Sequence, residues 1–563
     1  MTAAATVLAL PTPAPAQPAA APWSTEPRIE VSDELPERPA GYAITAREAI
    51  RIANRDPNVL EARARPGRLR ASAEARAPDG WQVGYFDGGR EVVQVIVDAE
   101  GGSVRESWTG YQVAWEMARG YEGSFGHLLN APYVWLPLCA IFLLGLVDWR
   151  RPWRVVHLDL LVLLAFGASH FFFNRAEIGL SVPLVYPVLA YLLARMLWVG
   201  FRGRGAGLNP TAPIAWLAIA AAFLVGFRIA VNIADSGVID VGYSGVIGAD
   251  RIVDGDPLYG EGAFPDDNPF GDTYGPVNYL LYVPLEQALP WSGSWDELPA
   301  AHGAAIFLDL AAIGLLLALG RRLRPGRAGR DLGVVLAFAW AAFPYTAFVL
   351  QSNANDTLVA ALVLAAFVVS AAPLRGAMAA VAAATKFGPL GLAPLLARGL
   401  DLRARAVASF GLGFVIVAAL VLAEVLLDPG LATFWDRTVG SQAGRDSPFS
   451  VWGQEPGLEW LQTAVKAGTV ALAALVAIVP RRRDLARMLA LGAAVMIAVQ
   501  LTTEHWFYLY IVWFFPLAIA ALAAIPSARA KPEPPPGEPL AGSLSSGEKR
   551  PAPAVSAGAV GTT

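Results

Sequence analysis

The feature that most constrains this chain is a recurrence of apolar runs. Eleven lie near 131–148, 156–173, 181–199, 211–233, 303–320, 332–350, 356–373, 405–427, 463–480, 486–503 and 507–525. Each approaches the roughly 20 residues that a helix needs to cross a bilayer, so an all-α polytopic membrane protein is expected. Arginines mark every second boundary: Arg150, Arg151 and Arg154; Arg202 and Arg204; Arg321, Arg322, Arg324, Arg327 and Arg330; Arg398, Arg403 and Arg405; then Arg481, Arg482, Arg483 and Arg487. Under the positive-inside rule these loops face the cytoplasm. The N-terminal region and the loops 234–302 and 428–462 then face outward. The alternation closes only if a twelfth apolar stretch, 376–397, crosses an even number of times. Lys386, Gly388 and Pro389 interrupt it, so a re-entrant hairpin is expected there, a geometry tolerated where protein or a cavity surrounds it.

Composition narrows the function. The chain is 55% hydrophobic and 16% charged, against about 25% charged residues in soluble domains. A net charge of −4 argues against nucleic acid as a partner. Cys139 is the only cysteine, which excludes an internal disulfide and any cysteine-built metal site. Lysine occurs only at 386, 466, 531 and 549, which makes Lys386 conspicuous inside an apolar segment.

Residues 1–40 read as a signal-like segment and linker. Residues 1–20 have the small-residue end of a signal peptide without its basic start. Residues 41–115 read as a small α+β extracytoplasmic domain. "ITAREAIRIA" has helical spacing, and "GWQVGYFDGGREVVQVIVDAEGGSVRESW" reads as three strands joined by turns at Asp87-Gly88-Gly89 and Glu100-Gly101-Gly102. Val93, Val95 and Val97 alternate toward one buried face. An "A-x-x-A" helix followed by a strand ending "V-D-A-x-x-G" resembles the PepSY module of bacterial envelopes, over about one-eighth of the chain. Residues 131–199 supply three accessory spans, 211–525 the main membrane domain, and 526–563, rich in Pro, Ser and Gly, a disordered cytoplasmic tail.

The long outer loop is acidic: Asp235 and Asp240 open it, "GADRIVDGDPLYG" and "FPDDNPFGDTYGP" follow, and "VNYLLYVPLEQALPW" is amphipathic. Tyr274, Tyr279, Tyr282 and Trp291 suit headgroup depth. Four stretches then occur in order: "DVGYSGVIGADRIVDGDPLYG", "FVLQSNANDTLVAALVLAAF", "AAATKFGPLGLAPLL" and "TTEHWFYLYIVWFFPL". Together they resemble the GT-C membrane glycosyltransferases over roughly 211–525. The nearest likeness is to the family that uses polyprenyl-phosphate-mannose, glycosyltransferase family 87. The second stretch carries Leu350 where the family has glycine. In the fourth, His505 and Trp506 stand in a different order from the family's "S-W-x-H".

The resemblance implies a GT-C-like fold of about 11 transmembrane helices plus the re-entrant hairpin. It implies a hexosyltransferase moving a hexose, mannose in the family, from a polyprenyl-phosphate donor to an envelope glycolipid or glycan at the outer face. Asp240 takes the catalytic position as general base. Lys386 and His505 hold the donor phosphate, and Gln351, Asn353, Tyr243 and Tyr274 contact sugar or acceptor. Neither metal nor cofactor is implied. Residue chemistry points the same way. A carboxylate at a span's end can deprotonate a hydroxyl within about 3 Å, and a cation in a dry cavity stabilises a departing phosphate. Asp235 competes with Asp240, while Asp266-Asp267 reads as turn chemistry, and Asn355 or Asp356 as the cap of the next helix. Glu504 and His505 also fit an interfacial pair. The competing function is a transporter or lipid flippase with a regulatory outer module, since broken hairpins with buried charge also serve transport.

Overall fold

The structure is a computed structural model. It describes residues 29–525 except 33–34, 77–79, 121–125, 206, 401–402, 428, 442–446, 456 and 480–483. The signal-like residues 1–28, the tail and Arg481–Arg483 therefore lie outside the described residues.

The N-terminal unit is a five-stranded sheet backed by two helices, α1 (Ala46–Ala53) and α2 (Pro57–Arg63). Strands β1 (Glu30–Val31), β2 (Leu69–Arg76), β3 (Gly80–Asp87), β4 (Arg90–Asp98) and β5 (Val104–Thr109) lie in sequence order. β1 pairs parallel to β2, and every other neighbour is antiparallel. β3, β4 and β5 are the three strands expected, with Asp87 facing Arg90 across Gly88-Gly89, where Gly88 supplies the positive φ that a two-residue hairpin needs. β2 was not anticipated, because its inward positions Leu69, Ala71 and Ala73 are mostly alanine, a poor strand former. Val93, Val95 and Val97 are buried as the alternation required, beside Trp81, Val83 and Tyr85. α1 opens with a capping box between Thr45 and Glu48 and buries Ala46, Ala49, Ile50 and Ala53 against the sheet.

The rest is helical, and each apolar run forms helix. Among the described residues, six helices are long and apolar enough to cross a bilayer: α4 (Val155–Phe173), α5 (Ile178–Arg202), α6 (Ile214–Ala234), α8 (Pro299–Leu323), α14 (Ala404–Val421) and α15 (Glu459–Ile478). A seventh candidate is a pair, α9 (Gly326–Ala342) and α10 (Pro344–Gln351), bent by 59°. Pro344 cannot donate to the preceding turn, which accounts for the break. α3 (Pro132–Leu146), α11 (Asp356–Val368), α16 (Leu485–Gln500) and α17 (Tyr508–Ala524) are shorter apolar helices.

Hydrogen bonds sort the connections into two ends. At one, Thr211 Oγ1 donates to Val147 O at 3.4 Å, Gly207 N to Leu522 O at 3.1 Å and Arg324 Nη2 to Ala523 O at 2.8 Å, and Arg322 bonds Ser370. This end carries the described arginine clusters. At the other end, Leu128 N donates to Asp235 Oδ2 at 2.9 Å and Tyr111 Oη to Gln454 O at 3.4 Å, docking the chain that leaves the sheet domain onto both long loops.

The twelfth stretch forms α12 (Ala372–Ala383), a break, a 3-10 turn Gly388–Leu392 and α13 (Ala393–Arg398). Arg375 Nε donates to Leu396 O at 2.7 Å, so the segment leaves the bundle where it entered. The 12 residues of α12 climb only about 18 Å. Lys386 therefore sits at the tip of a hairpin within the bundle.

The opening of the long loop is a 15-residue helix, α7 (Asp240–Asp254), where the sequence reads as loop. Gly242, Gly245 and Gly248 form one face three residues apart. A Cβ there would lie 2.4 Å from Asn353 O, 2.6 Å from the Tyr282 ring and 2.2 Å from the Tyr279 ring. The glycines that weaken local helix propensity are what allow this helix to lie against Tyr279 and Tyr282.

Candidate active site

The hairpin tip meets the long loop at Gly275, whose N–H donates to Thr385 O at 3.1 Å. This contact places Tyr274 beside Lys386. The ammonium lies 5.4 Å from the Tyr274 ring centroid and 5.5 Å from those of Tyr510 and Trp513, a three-sided aromatic cage. Its charge is held by Asp356, the first residue of α11: Lys386 Nζ donates to Asp356 Oδ1 at 2.8 Å, and Trp513 Nε1 donates to the same oxygen at 2.9 Å. Asp356 is fully buried and the Lys386 side chain 11% exposed. Sequence reading placed Asp356 among candidate caps. In the structure it is a counter-ion, and Asn355, at the N-cap, makes no side-chain cap bond. The missed signal was long-range: one buried-looking carboxylate and one buried-looking lysine, 30 residues apart.

Next to this pair, Asn355 Nδ2 donates to Asn278 Oδ1 at 2.5 Å. Asn278 Nδ2, Asn355 Oδ1 and Asp356 Oδ2 are buried without a hydrogen-bond partner among the described residues. Unpaired polar atoms at this depth are unfavourable, and three so close together mark a polar centre in an apolar bundle.

Asp240 is exposed at the first position of α7. Asn268 Nδ2 and Ser244 Oγ both donate to its backbone oxygen, at 3.1 and 2.7 Å, which fixes the helix start. Asp235 instead accepts from Leu128 N and lies 3.8 Å from His127 Nδ1. Tyr243 is buried, ringed by Trp291 and Trp295, and its hydroxyl donates to Asp267 Oδ2 at 3.4 Å. Burial, then the Asp267 charge, push its pKa up to about 12.

Gln351 and Asn353 are buried at the α10–α11 break. Gln351 Nε2 donates to Arg228 O at 2.9 Å. Asn353, in the left-handed region at φ 47°, donates to Ser236 Oγ at 3.0 Å and Gly237 O at 2.9 Å, and accepts from Asn232 Nδ2 at 2.8 Å. These bonds strap segment 236–239, which leads to Asp240, onto the bundle. His505 sits elsewhere on the same end: its Nδ1 lies 3.0 Å from Ser447 Oγ, and its ring packs between Trp115 at 5.5 Å and Phe449 at 5.2 Å.

The two long loops are pinned together by Arg437. Its guanidinium donates to both oxygens of the fully buried Asp272, at 2.5 and 2.7 Å. The hydrogen bond to Asp272, ahead of the opposing effect of burial, raises the Arg437 pKa.

Residues 273–503 match the model of glycosyltransferase family 87. The match spans less than half of the chain, and it indicates a membrane glycosyltransferase. Tyr274, Asn278, Gln351, Asn353, Asp356 and Lys386 fall inside it, while Asp240 and Tyr243 precede it and His505 follows by two residues. No curated protein matches the chain.

Proposed function

We propose that this protein transfers a hexosyl group, mannosyl by the family resemblance, from a polyprenyl phosphate to a hydroxyl of an envelope glycolipid or glycan on the outer face of the membrane. Lys386 carries the reading: a caged lysine at the tip of a broken hairpin, meeting an acidic outer loop inside the family-matched segment. An intramembrane cation is a functional-site hypothesis in its own right. An ammonium has three N–H donors, and Asp356 and the cage fix its position for the phosphate of a lipid whose tail stays in the bilayer.

In this mechanism the Asp240 carboxylate takes the proton of the acceptor hydroxyl as its oxygen attacks the anomeric carbon. The bond from that carbon to the phosphate oxygen breaks, and polyprenyl phosphate leaves with the electron pair. Lys386 stabilises the departing charge, and His505 is assigned to the same phosphate. Tyr274 and Tyr243 flank sugar and acceptor. Asn353 acts through the strap that delivers Asp240, and Gln351, whose Oε1 is buried without a partner among the described residues, contacts the sugar. A single displacement inverts the anomeric centre. The arginine-rich end is cytoplasmic and the sheet domain, which we take as PepSY-like, faces outward.

The test is transfer by purified protein in lipid, with radiolabelled polyprenyl-phosphate-mannose and total envelope glycolipid. Asp240→Asn is expected to lose about 10²–10⁴ in rate at unchanged donor binding, the contribution of a general base. Lys386→Ala is expected to weaken donor binding as well. Label crossing between leaflets without transfer would instead establish a transporter.

A further inference from the structure

Beside the segment that leads to Asp240 is a half-open cleft of about 530 Å³, between the end of α6 and the start of α8. Its size falls within the roughly 300–1,000 Å³ of small-molecule sites. Segment 236–238 forms part of its lining, so the cleft ends two residues from Asp240. Its polar side is built: Ser236 Oγ lies 3.3 Å from His302 Nδ1, and that nitrogen lies 3.1 Å from the Oδ1 of the buried Asn232. Asp296 and Glu297 also line it, and the Asp296 carboxylate accepts from Leu298 N at 3.0 Å. The apolar side is Ile233 and Ile306, next to a helix face that presents Phe307 outward. Ile233 is 70% exposed, at the rim of an apolar helix, which opens the cleft toward lipid.

Hydroxyl and imidazole groups beside carboxylates, with an apolar wall on the lipid side, suit an amphiphile with an uncharged, hydroxyl-rich head. The carboxylates disfavour a phosphate, so the anionic donor belongs at Lys386 and not here. We propose that this cleft is the acceptor subsite: it takes the glycan head of a lipid-linked acceptor, its chain along Ile233 and Ile306, and presents a hydroxyl to Asp240. The proposal rests on the glycosyltransferase reading above, but occupancy can be read without turnover.

The experiment uses full-length protein in lipid nanodiscs and tritiated octyl α-mannoside. A photoreactive benzoylphenylalanine at Ile306 is expected to capture the glycoside in preference to the same group at Leu412, a lipid-facing position of α14. Equal capture at both would show partition into lipid only and overturn the proposal. Gly303→Leu tests the cleft separately. A Cβ on Gly303 meets only Leu285 Cδ2, at 3.4 Å, so the longer side chain can enter the cleft. It is expected to raise KM for octyl α-mannoside by at least about tenfold, with the thermal midpoint as the check that the variant folds. An unchanged KM overturns the proposal. Selective capture at Ile306, with no transfer from any polyprenyl-phosphate hexose, would retain the cleft as a glycoside site and refute the proposed reaction.

Discussion

Removing Asp356 should do more damage than removing the whole ion pair. Nζ and Oδ1 are 2.8 Å apart, so at an effective dielectric near 20 their attraction is about 6 kcal/mol. Taking each ion out of water costs several kcal/mol, so the intact pair is close to neutral for stability, whereas stranding one partner costs about 3–5 kcal/mol. Asp356→Ala strands the ammonium and also removes the acceptor of Trp513 Nε1. Lys386→Met strands the carboxylate, which keeps its Trp513 bond, so its loss should be the smaller of the two. The double variant Asp356→Leu/Lys386→Met should recover to within about 1–2 kcal/mol of wild type yet show no transfer. The assay is a double-mutant cycle on unfolding in mixed micelles, with transfer measured on the same samples. Additive losses, or single variants each below about 1 kcal/mol, would refute a buried, mutually compensating pair.

Three further outcomes follow from the packing. Gly275→Ala puts a Cβ 1.9 Å from Ala384 O, so the loop must withdraw from the hairpin tip; it should lose about 1–3 kcal/mol and most transfer, whereas Gly314→Ala, with open space around it, should change neither. Trp115→Ala removes one wall of His505 and should lower kcat by about tenfold or more with an altered pH profile, Trp115→Phe restoring both; an unchanged profile would detach the sheet domain from the site. Burial, then Glu286 and Asp254, raise the Asp250 pKa above its ordinary value. The folded state therefore holds that proton more tightly, and stability falls as pH rises from the ordinary carboxylate range through the raised value. Asp250→Asn should remove that fall and stabilise the protein at neutral pH, measured as thermal midpoint against pH.

What was legible in advance depended on range. The apolar runs, the arginine alternation, the β3–β4 turn and the interruption at Lys386 are written in windows of a few to about 20 residues. The sequence could mark Lys386 as unusual, but nothing near it names its counter-ion. Asp356 looks like any acidic residue opening a helix, and Trp513 like any belt aromatic. α7 was hidden for a similar reason: glycine and aspartate argue locally for loop, and the three-residue glycine spacing is explained only by the Asn353 backbone oxygen and the rings of Tyr282 and Tyr279. The amides of Gln351 and Asn353 looked available for a sugar, whereas their chief partners are the backbone of α6 and segment 236–237, more than 100 residues away.

By itself, then, the sequence determined a polytopic helical membrane protein with a small sheet domain, the likeness to a glycosyltransferase family, and the carboxylates and cations available for chemistry. The fold class follows from composition and short-range periodicity, because solvation by lipid acts on each segment alone, whereas the likeness rests on four short stretches in order. Tertiary structure decided which charges meet. The returning hairpin carries Lys386 to Asp356 under Tyr274, the Asn353 strap sets the start of α7, and Arg437 closes the second loop over the first. Such pairings depend on chain closure and on desolvation within the assembled bundle, which no local window contains.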